Sequence, residues 1–183
     1  MGDEYAEIDD RIAKWIAEQK VFFVATAPLS RDGLINCSPK GIDSFRVLDR
    51  RTVAYLDLTG SGIETIAHLR ENRRIVIMMC AFAGPPKILR LHGHGEVLEK
   101  GTEEYHSLIS DFIEHPGSRS IIRVALDRIS DSCGFGVPLY SYQGERDTLI
   151  NWAEKQGEDG IERYKGKANL KSLDGLDGLR RDA

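Results

Sequence analysis

The chain has 183 residues, of which 41% are hydrophobic and 30% charged, a composition typical of one compact globular domain that buries its own core. The net charge of −4 argues against a nucleic-acid partner, which would require a basic face, and no apolar run approaches the roughly 20 residues that cross a bilayer. The acidic start does not resemble a secretory leader, and three cysteines without close pairing indicate reduced thiols, so we expect a cytoplasmic protein.

The first predicted element is an amphipathic helix over Tyr5–Gln19, because Ile8, Ile12 and Ile16 form one apolar stripe. Seven short segments rich in β-branched, aromatic and aliphatic residues follow, separated by turn sequences. They are Val21–Ala27, Leu34–Lys40, Phe45–Leu48, Thr52–Leu58, Ile75–Phe82, Lys87–Glu99 and Ser120–Ile129. So many short strands at close spacing predict a barrel.

Further helices are predicted from about Gly62 to Glu71, from Thr102 to Phe112 and from Arg146 to Lys155. They do not alternate regularly with the strands, which argues against a doubly wound parallel sheet. The last 25 or so residues are polar and predict a wrapped arm or a partly disordered tail. We therefore expect a single domain over 1–183, with a barrel core at 20–130 and, at 131–183, a C-terminal extension of one helix and a polar tail.

The segment Leu34–Lys40 has one polar face. In a strand Asn36, Ser38 and Lys40 share a side, which ends in a cation. Pro39 cannot donate a ladder hydrogen bond, which predicts that this strand lies at an edge or a bulge. From this strand alone, a solvent-facing side and a ligand-facing side are equally good interpretations.

The segment after the fourth predicted strand has the pattern of a helix start. Ser61 and Glu64 match a capping box, in which Ser61 is the N-cap and Glu64 bonds back to its amide. The same glycine-flanked start, with hydroxyls on Thr59, Ser61 and Thr65, also offers free amides and a positive dipole end to a phosphate. Both roles can coexist.

A third polar row lies along Lys87–Glu99, where His92, His94 and Glu96 alternate on one face. Such a set can converge on zinc, but Arg90 in the same row would repel a dication, so we predict no metal site and expect an ordinary hydrogen-bonding face. Sequence motifs of hydrolases, dinucleotide-binding proteins and nucleoside triphosphatases are not found in the chain.

Taken in order, these segments resemble the pyridoxamine 5′-phosphate oxidase-like family of FMN-binding split barrels. The resemblance is carried by Val21–Ala27, Asn36–Gly41, Tyr55–Gly60 leading into Glu64–Ile66, Leu69–Arg73 and Leu89–Val97. It implies a mainly β fold with peripheral helices (α+β), built as an antiparallel six-stranded split β-barrel. It further implies a homodimer that holds FMN in clefts between its subunits.

The resemblance also implies the residues that bind the cofactor. These are Asn36, Ser38, Pro39, Lys40, Thr59, Ser61, Gly62, Thr65, Arg90 and His92. The edge-strand residues would line the flavin and reach its phosphate or ring edge, the hydroxyls and glycine at the helix start would bind the phosphate, and Arg90 and His92 would approach from a neighbouring strand.

One departure from the family pattern concerns the phosphate. Where the oxidases carry an Arg-Lys pair that clamps it, this chain has Glu64 and Thr65. Lys40 would then carry much of the countercharge, with Arg73 or Arg90 as possible helpers. The C-terminal substrate-phosphate motif of the oxidases is also not evident, so we do not expect pyridoxamine phosphate to be the substrate.

The resulting functional prediction is an FMN-dependent oxidoreductase in which the flavin N5 exchanges hydride with an unidentified small molecule. The sequence does not indicate a catalytic side chain. One alternative is a non-catalytic flavin or haem binder, with His92 or His94 as haem ligand. Another alternative is a deazaflavin-dependent reductase, because deazaflavin also carries a ribityl phosphate.

Overall fold

The computed structural model describes residues 2–180 and contains one antiparallel sheet of eight strands. The strands are β1 (Glu4–Tyr5), β2 (Phe22–Thr26), β3 (Asn36–Lys40), β4 (Phe45–Asp49), β5 (Thr52–Leu58), β6 (Arg74–Cys80), β7 (Ile88–Glu99) and β8 (Ser118–Ser132). Their order is β3-β2-β6-β7-β8-β5-β4, and β1 pairs with β8. The mainly β architecture and all seven predicted strands are confirmed, but the sheet has eight strands and not the six that the resemblance implies. The eighth, β1, was not predicted because a two-residue strand gives no alternating pattern.

Four α-helices lie around the sheet: α1 (Asp10–Glu18), α2 (Glu64–Asn72), α3 (Glu103–Leu108) and α4 (Thr148–Ala168). α1 begins later than predicted because the Asp9 carboxylate accepts a hydrogen bond from the Ile12 amide at 2.8 Å and so caps the helix. α4 is longer than predicted, since it continues past a kink at Gly157, where φ is 64°. None of the helices between residues 2 and 180 has the length and apolarity required to cross a bilayer.

The main apolar cluster lies on one face of the sheet, and a second, smaller cluster with Leu56 and Ile121 lies on the opposite face, against Tyr105 of α3. Val24, Ile77, Leu91 and Ile122 are fully buried, and they come from four different strands. Residues directly opposite each other in an antiparallel pair share a face, so the register of these strands defines an inner, apolar face and an outer face. Cys80, at the end of β6, is also buried.

The barrel is split because its two edge strands, β3 and β4, do not pair with each other. Side chains close the gap: the Phe22 ring lies 5.0 Å from that of Phe45 and 5.5 Å from that of Tyr55, and Lys40 reaches Asp57 on β5. The edge position of β3 that Pro39 predicts is confirmed. This gap is where the polar residues of the predicted site meet.

The C-terminal extension wraps around the barrel. After β8 it runs without regular structure to α4, and on the way the Tyr140 amide donates to the Phe82 carbonyl at 2.9 Å. Beyond α4, Asn169 is fully buried and Gly178 packs against Ile63 at the start of α2. The described part of the tail is thus a wrapped arm, while residues 181–183 lie outside the described range.

Candidate functional site

The polar face of β3 points into the split barrel. The register places Asn36 opposite Thr26 and Lys40 opposite Phe22, and both of these β2 residues are buried on the inner face. Asn36, Ser38 and Lys40 therefore extend the inner side of the sheet, while Pro39 is exposed on the other side. The predicted alternation is confirmed, and this face is not an ordinary solvent face.

A chain of hydrogen bonds joins β3 to α2. Asn36 Nδ2 donates to Thr65 Oγ1 at 3.0 Å and to Thr26 Oγ1 at 3.3 Å, and Ser38 Oγ donates to Asn36 Oδ1 at 3.0 Å. Thr26 Oγ1 also lies 2.9 Å from Nδ1 of the fully buried His68. Three of the predicted site residues, Asn36, Ser38 and Thr65, are thus brought together.

Lys40 belongs to a buried charge cluster. Its Nζ lies 2.9 Å from Oδ1 of Asp57, whose Oδ2 accepts from Arg119 Nε at 2.6 Å. Burial would raise the pKa of Asp57, but the Arg119 guanidinium and the Lys40 ammonium together outweigh burial and lower its pKa to about 2. Two cations thus surround one carboxylate, and the cluster keeps one excess positive charge.

Arg119 is not among the predicted site residues, although it makes more contacts in this region than Arg73 or Arg90. Its Nη2 donates to the Gly62 carbonyl at 2.9 Å and its Nη1 to Asn169 Oδ1 at 3.0 Å, and Asn169 Nδ2 donates to the Gly60 carbonyl at 2.9 Å. Arg119 and the extension together fix the loop between β5 and α2. The signal available in the sequence was a charged residue at the start of the apolar run that forms β8.

Two hydroxyls near this loop are buried without a partner. Thr59 Oγ1 and Tyr55 Oη have no hydrogen-bond partner in the described part of the chain. A buried polar group that stays unpaired costs about 1–3 kcal/mol, so such atoms mark positions for a ligand or an ordered water. Burial, followed by the charge of Asp57, raises the pKa of Tyr55 well above its ordinary value, which keeps its hydroxyl protonated as a donor.

The start of α2 differs from the predicted capping box. The helix begins at Glu64 with Ile63 as N-cap, so the prediction that Ser61 caps it is wrong. Arg119 holds the loop carbonyl of Gly62, and the helix starts two residues later than predicted. Glu64 still has a capping role: its Oε2 accepts from the Ile63 amide at 3.0 Å and its Oε1 from the Leu173 amide at 3.3 Å.

Arg90 and His92 lie on β7, and β6 and β2 separate them from β3. Successive register pairs connect Arg90 through β6 and β2 to Pro39, so Arg90 and His92 share the outer face with Pro39 and not the inner face with Lys40. Within one chain the structure therefore does not bring them to the polar row. Arg73 is also remote from the helix start, because it is the C-cap of α2.

The two histidines of β7 have separate environments. His92 Nδ1 is buried and has no partner among residues 2–180, and burial, followed by the charges of Arg128 and Arg90, lowers the pKa of His92. His94 is exposed, and its Nδ1 lies 2.7 Å from Asp127 Oδ2. No group of three potential metal ligands occurs in the region that the structure describes.

A cavity of about 1460 Å³ adjoins the end of β3. Pro39 and Lys40 are the two predicted site residues that line it. Its other walls come from α1, from the β6–β7 loop and from residues 140–152 of the extension. The candidate site thus has two parts, a buried polar network in the split of the barrel and an open aromatic cavity beside it.

Comparisons with known proteins agree on the family. The family described as "Pyridoxamine 5′-phosphate oxidase" matches residues 8–133. The pyridoxamine 5′-phosphate oxidase family protein ustO of Aspergillus flavus is 38% identical over 194 residues, which cover 96% of this chain and 77% of ustO.

Solved structures show the fold. HupZ of Group A Streptococcus has a TM-score of 0.53 and 22% identity, over 67% of this chain and 91% of HupZ. The FAD binding protein of Mycobacterium smegmatis has a TM-score of 0.50 and 13% identity, over 69% of this chain and 97% of that protein. The fold agrees with the sequence matches, and those matches establish that this chain belongs to the pyridoxamine 5′-phosphate oxidase family.

Proposed function

We propose that the protein is an FMN-binding oxidoreductase that acts on a small molecule. The observation that carries this proposal is the row of Asn36, Ser38 and Lys40, which is held against the start of α2 by hydrogen bonds and faces a loop with an unpartnered buried hydroxyl at Thr59. Solvent-exposed polar residues would not require such a network. Membership of the family, and a structural neighbour whose name states that it binds FAD, support a flavin as the ligand.

The residues present fit a phosphorylated flavin. The cluster of Lys40, Asp57 and Arg119 retains one positive charge, which favours an anion nearby. The amides of Gly60, Ser61 and Gly62 have no acceptor in the described chain, so they are available to phosphate oxygens. Glu64, whose charge would oppose a phosphate, is occupied by the amides of Ile63 and Leu173.

Bound FMN would supply hydride chemistry at its N5 position. The protein would bind the phosphate through the loop before α2, and the Lys40 ammonium would lower the energy of negative charge on the ligand. Arg90 and His92 lie on the outer face of the sheet. We propose that they reach the flavin of a partner subunit in a homodimer.

The test is reconstitution of flavin-free protein with FMN, followed by gel filtration and sedimentation. We expect two visible absorption bands that co-elute with the protein, one FMN per chain and a dimeric mass. Lys40→Met should weaken FMN binding at least about tenfold, since one charge-assisted contact is worth about 1.5 kcal/mol or more. Lys100→Met, which removes an exposed cation paired with Glu114, is the matched control.

Riboflavin, which lacks the phosphate, separates the two possible positions of Lys40. A loss seen with FMN but not with riboflavin places Lys40 at the phosphate, and an equal loss with both places it at the ring. A colourless protein that takes up no FMN would contradict the proposal, and an intense Soret band after purification would indicate haem instead.

A further inference from the structure

The large cavity beside β3 has walls that the family match does not cover. Tyr140, Tyr142, Arg146 and Trp152 line it from the extension, whereas the matched region ends at residue 133. We infer that this cavity binds a small planar aromatic carboxylate. The position of this ligand next to a bound flavin rests on the proposed function, whereas its binding to the cavity does not.

The aromatic side chains that line the cavity indicate a planar ligand. Trp15 from α1, Phe82 from the β6–β7 loop, and Tyr140 and Trp152 from the extension all border the cavity. The ring centroids of Phe82 and Tyr140 lie 5.5 Å apart. The Tyr140 amide donates to the Phe82 carbonyl at 2.9 Å, which holds the two residues next to each other. Flat apolar side chains on several sides favour a flat, conjugated ligand.

The cationic side chains that line the cavity indicate the charge of the ligand. Four cations line the cavity, and two of them are already paired: Lys40 with Asp57 at 2.9 Å and Lys87 with Asp131 at 3.3 Å. The other two, Lys20 and Arg146, have no carboxylate within 4.0 Å in the part of the chain that the structure covers.

The two acids that line the cavity, Glu18 and Glu145, form no ion pair with these two cations among the described residues. The carboxylate of Glu145 accepts from the Ile42 amide and from the Tyr142 hydroxyl, and Glu18 is exposed. Two cations without an ion-pair partner, one of them a guanidinium that bonds carboxylates in bidentate geometry, are thus available to the carboxylate of a ligand.

The position of the cavity places its ligand next to the polar row of β3. Pro39 and Lys40 contribute both to β3 and to the cavity, so a ligand there would lie beside anything bound along the polar row. A volume of about 1460 Å³ exceeds the roughly 300–1000 Å³ of ordinary small-molecule pockets. The site therefore has room for a compact second ligand next to the flavin.

The chain contains two tryptophans, Trp15 and Trp152, and both line this cavity. Quenching of their fluorescence therefore reports binding without any need for activity. The probes are 4-nitrobenzoate and its neutral isostere 4-nitrobenzamide, titrated into the full chain with and without FMN. We expect 4-nitrobenzoate to bind about tenfold more tightly than the amide, because only the acid offers a charge to the two cations.

Lys20→Gln and Arg146→Gln should each weaken 4-nitrobenzoate about fivefold and leave 4-nitrobenzamide unchanged, since a partly exposed charge pair is worth up to about 1 kcal/mol. The unchanged amide shows that the walls remain folded. Lys100→Gln removes one positive charge outside the cavity and should alter neither ligand.

Equal affinity for acid and amide, or the same loss in Lys100→Gln, would overturn the inference. Displacement of 4-nitrobenzoate by FMN in one-to-one competition would also overturn it, because the cavity would then be the flavin's own site. If FMN does not bind but the acid still binds through Lys20 and Arg146, the proposed function fails while the cavity assignment stands.

Discussion

The barrel and the C-terminal extension are held in place by different means. The barrel buries a continuous apolar core on the inner face of its sheet, with Val24, Ile77 and Leu91 fully inaccessible. In the extension, by contrast, the only buried hydrophobic residues among those described are Ala153 and Ile161, and Phe135, Leu139 and Tyr140 are exposed. The extension therefore contributes less to the core than to the site, where it lines the cavity and fixes the loop before α2.

The largest effect on this comparison is expected from removing the charge of Asp57, whose carboxylate binds both cations on the barrel side of the site. Asp57→Asn should lower the free energy of unfolding by about 3–5 kcal/mol, because it leaves the buried guanidinium of Arg119 and the half-buried ammonium of Lys40 without a carboxylate. Urea denaturation measures this loss. The control, Asp43→Asn, breaks a pair whose carboxylate is 75% exposed and should change stability by less than about 0.5 kcal/mol. Equal losses would contradict the assigned role of Asp57.

Acid titration is a second test of the contribution of Asp57 to stability. The pKa of Asp57 is about 2 in the folded protein, below the ordinary value of 3.8, so its ionised form favours the folded state. This contribution to the free energy of unfolding, on the order of 2 kcal/mol, is complete above about pH 5 and is lost as the pH falls toward about 2.

The stability difference between the wild type and Asp57→Asn should therefore shrink between about pH 5 and about pH 2. A difference that stays constant over this range would show that Asp57 does not carry the effect. Denaturation curves for both proteins at several pH values measure it, and Asp43→Asn again serves as the control.

A smaller effect tests how the extension is anchored. Asn169→Ala should cost about 1–2 kcal/mol, because it leaves the Gly60 carbonyl and one Arg119 N–H without a partner in a buried place. Hydrogen exchange should show lost protection in residues 169–180 and in the loop before α2, while the sheet is unchanged. Asn151→Ala, at an exposed position of α4, is the control. Unaltered exchange in the loop would show that the extension does not support it.

Most of the fold could be predicted from the sequence because it rests on local patterns. Alternation along β3 and Pro39 predicted both the polar face and the edge position. The site was harder, because its central contacts join residues that are distant in the chain: Arg119 and Asp57 are 62 positions apart, and Asn169 and Gly60 are 109 apart. No local pattern reports such partners, and the position of Arg119 depends on a strand register that only the folded sheet defines.

The turn after β3 shows what this long-range dependence means for the barrel. Ile42 and Asp43 have φ values of 59° and 46°, a conformation that costs a β-branched residue about 1–2 kcal/mol. The Ile42 amide is bound by the Glu145 carboxylate at 3.1 Å, across 103 positions of sequence. The extension therefore helps to hold a strained turn, so the conformation of the barrel rim after β3 depends on a residue near the other end of the chain.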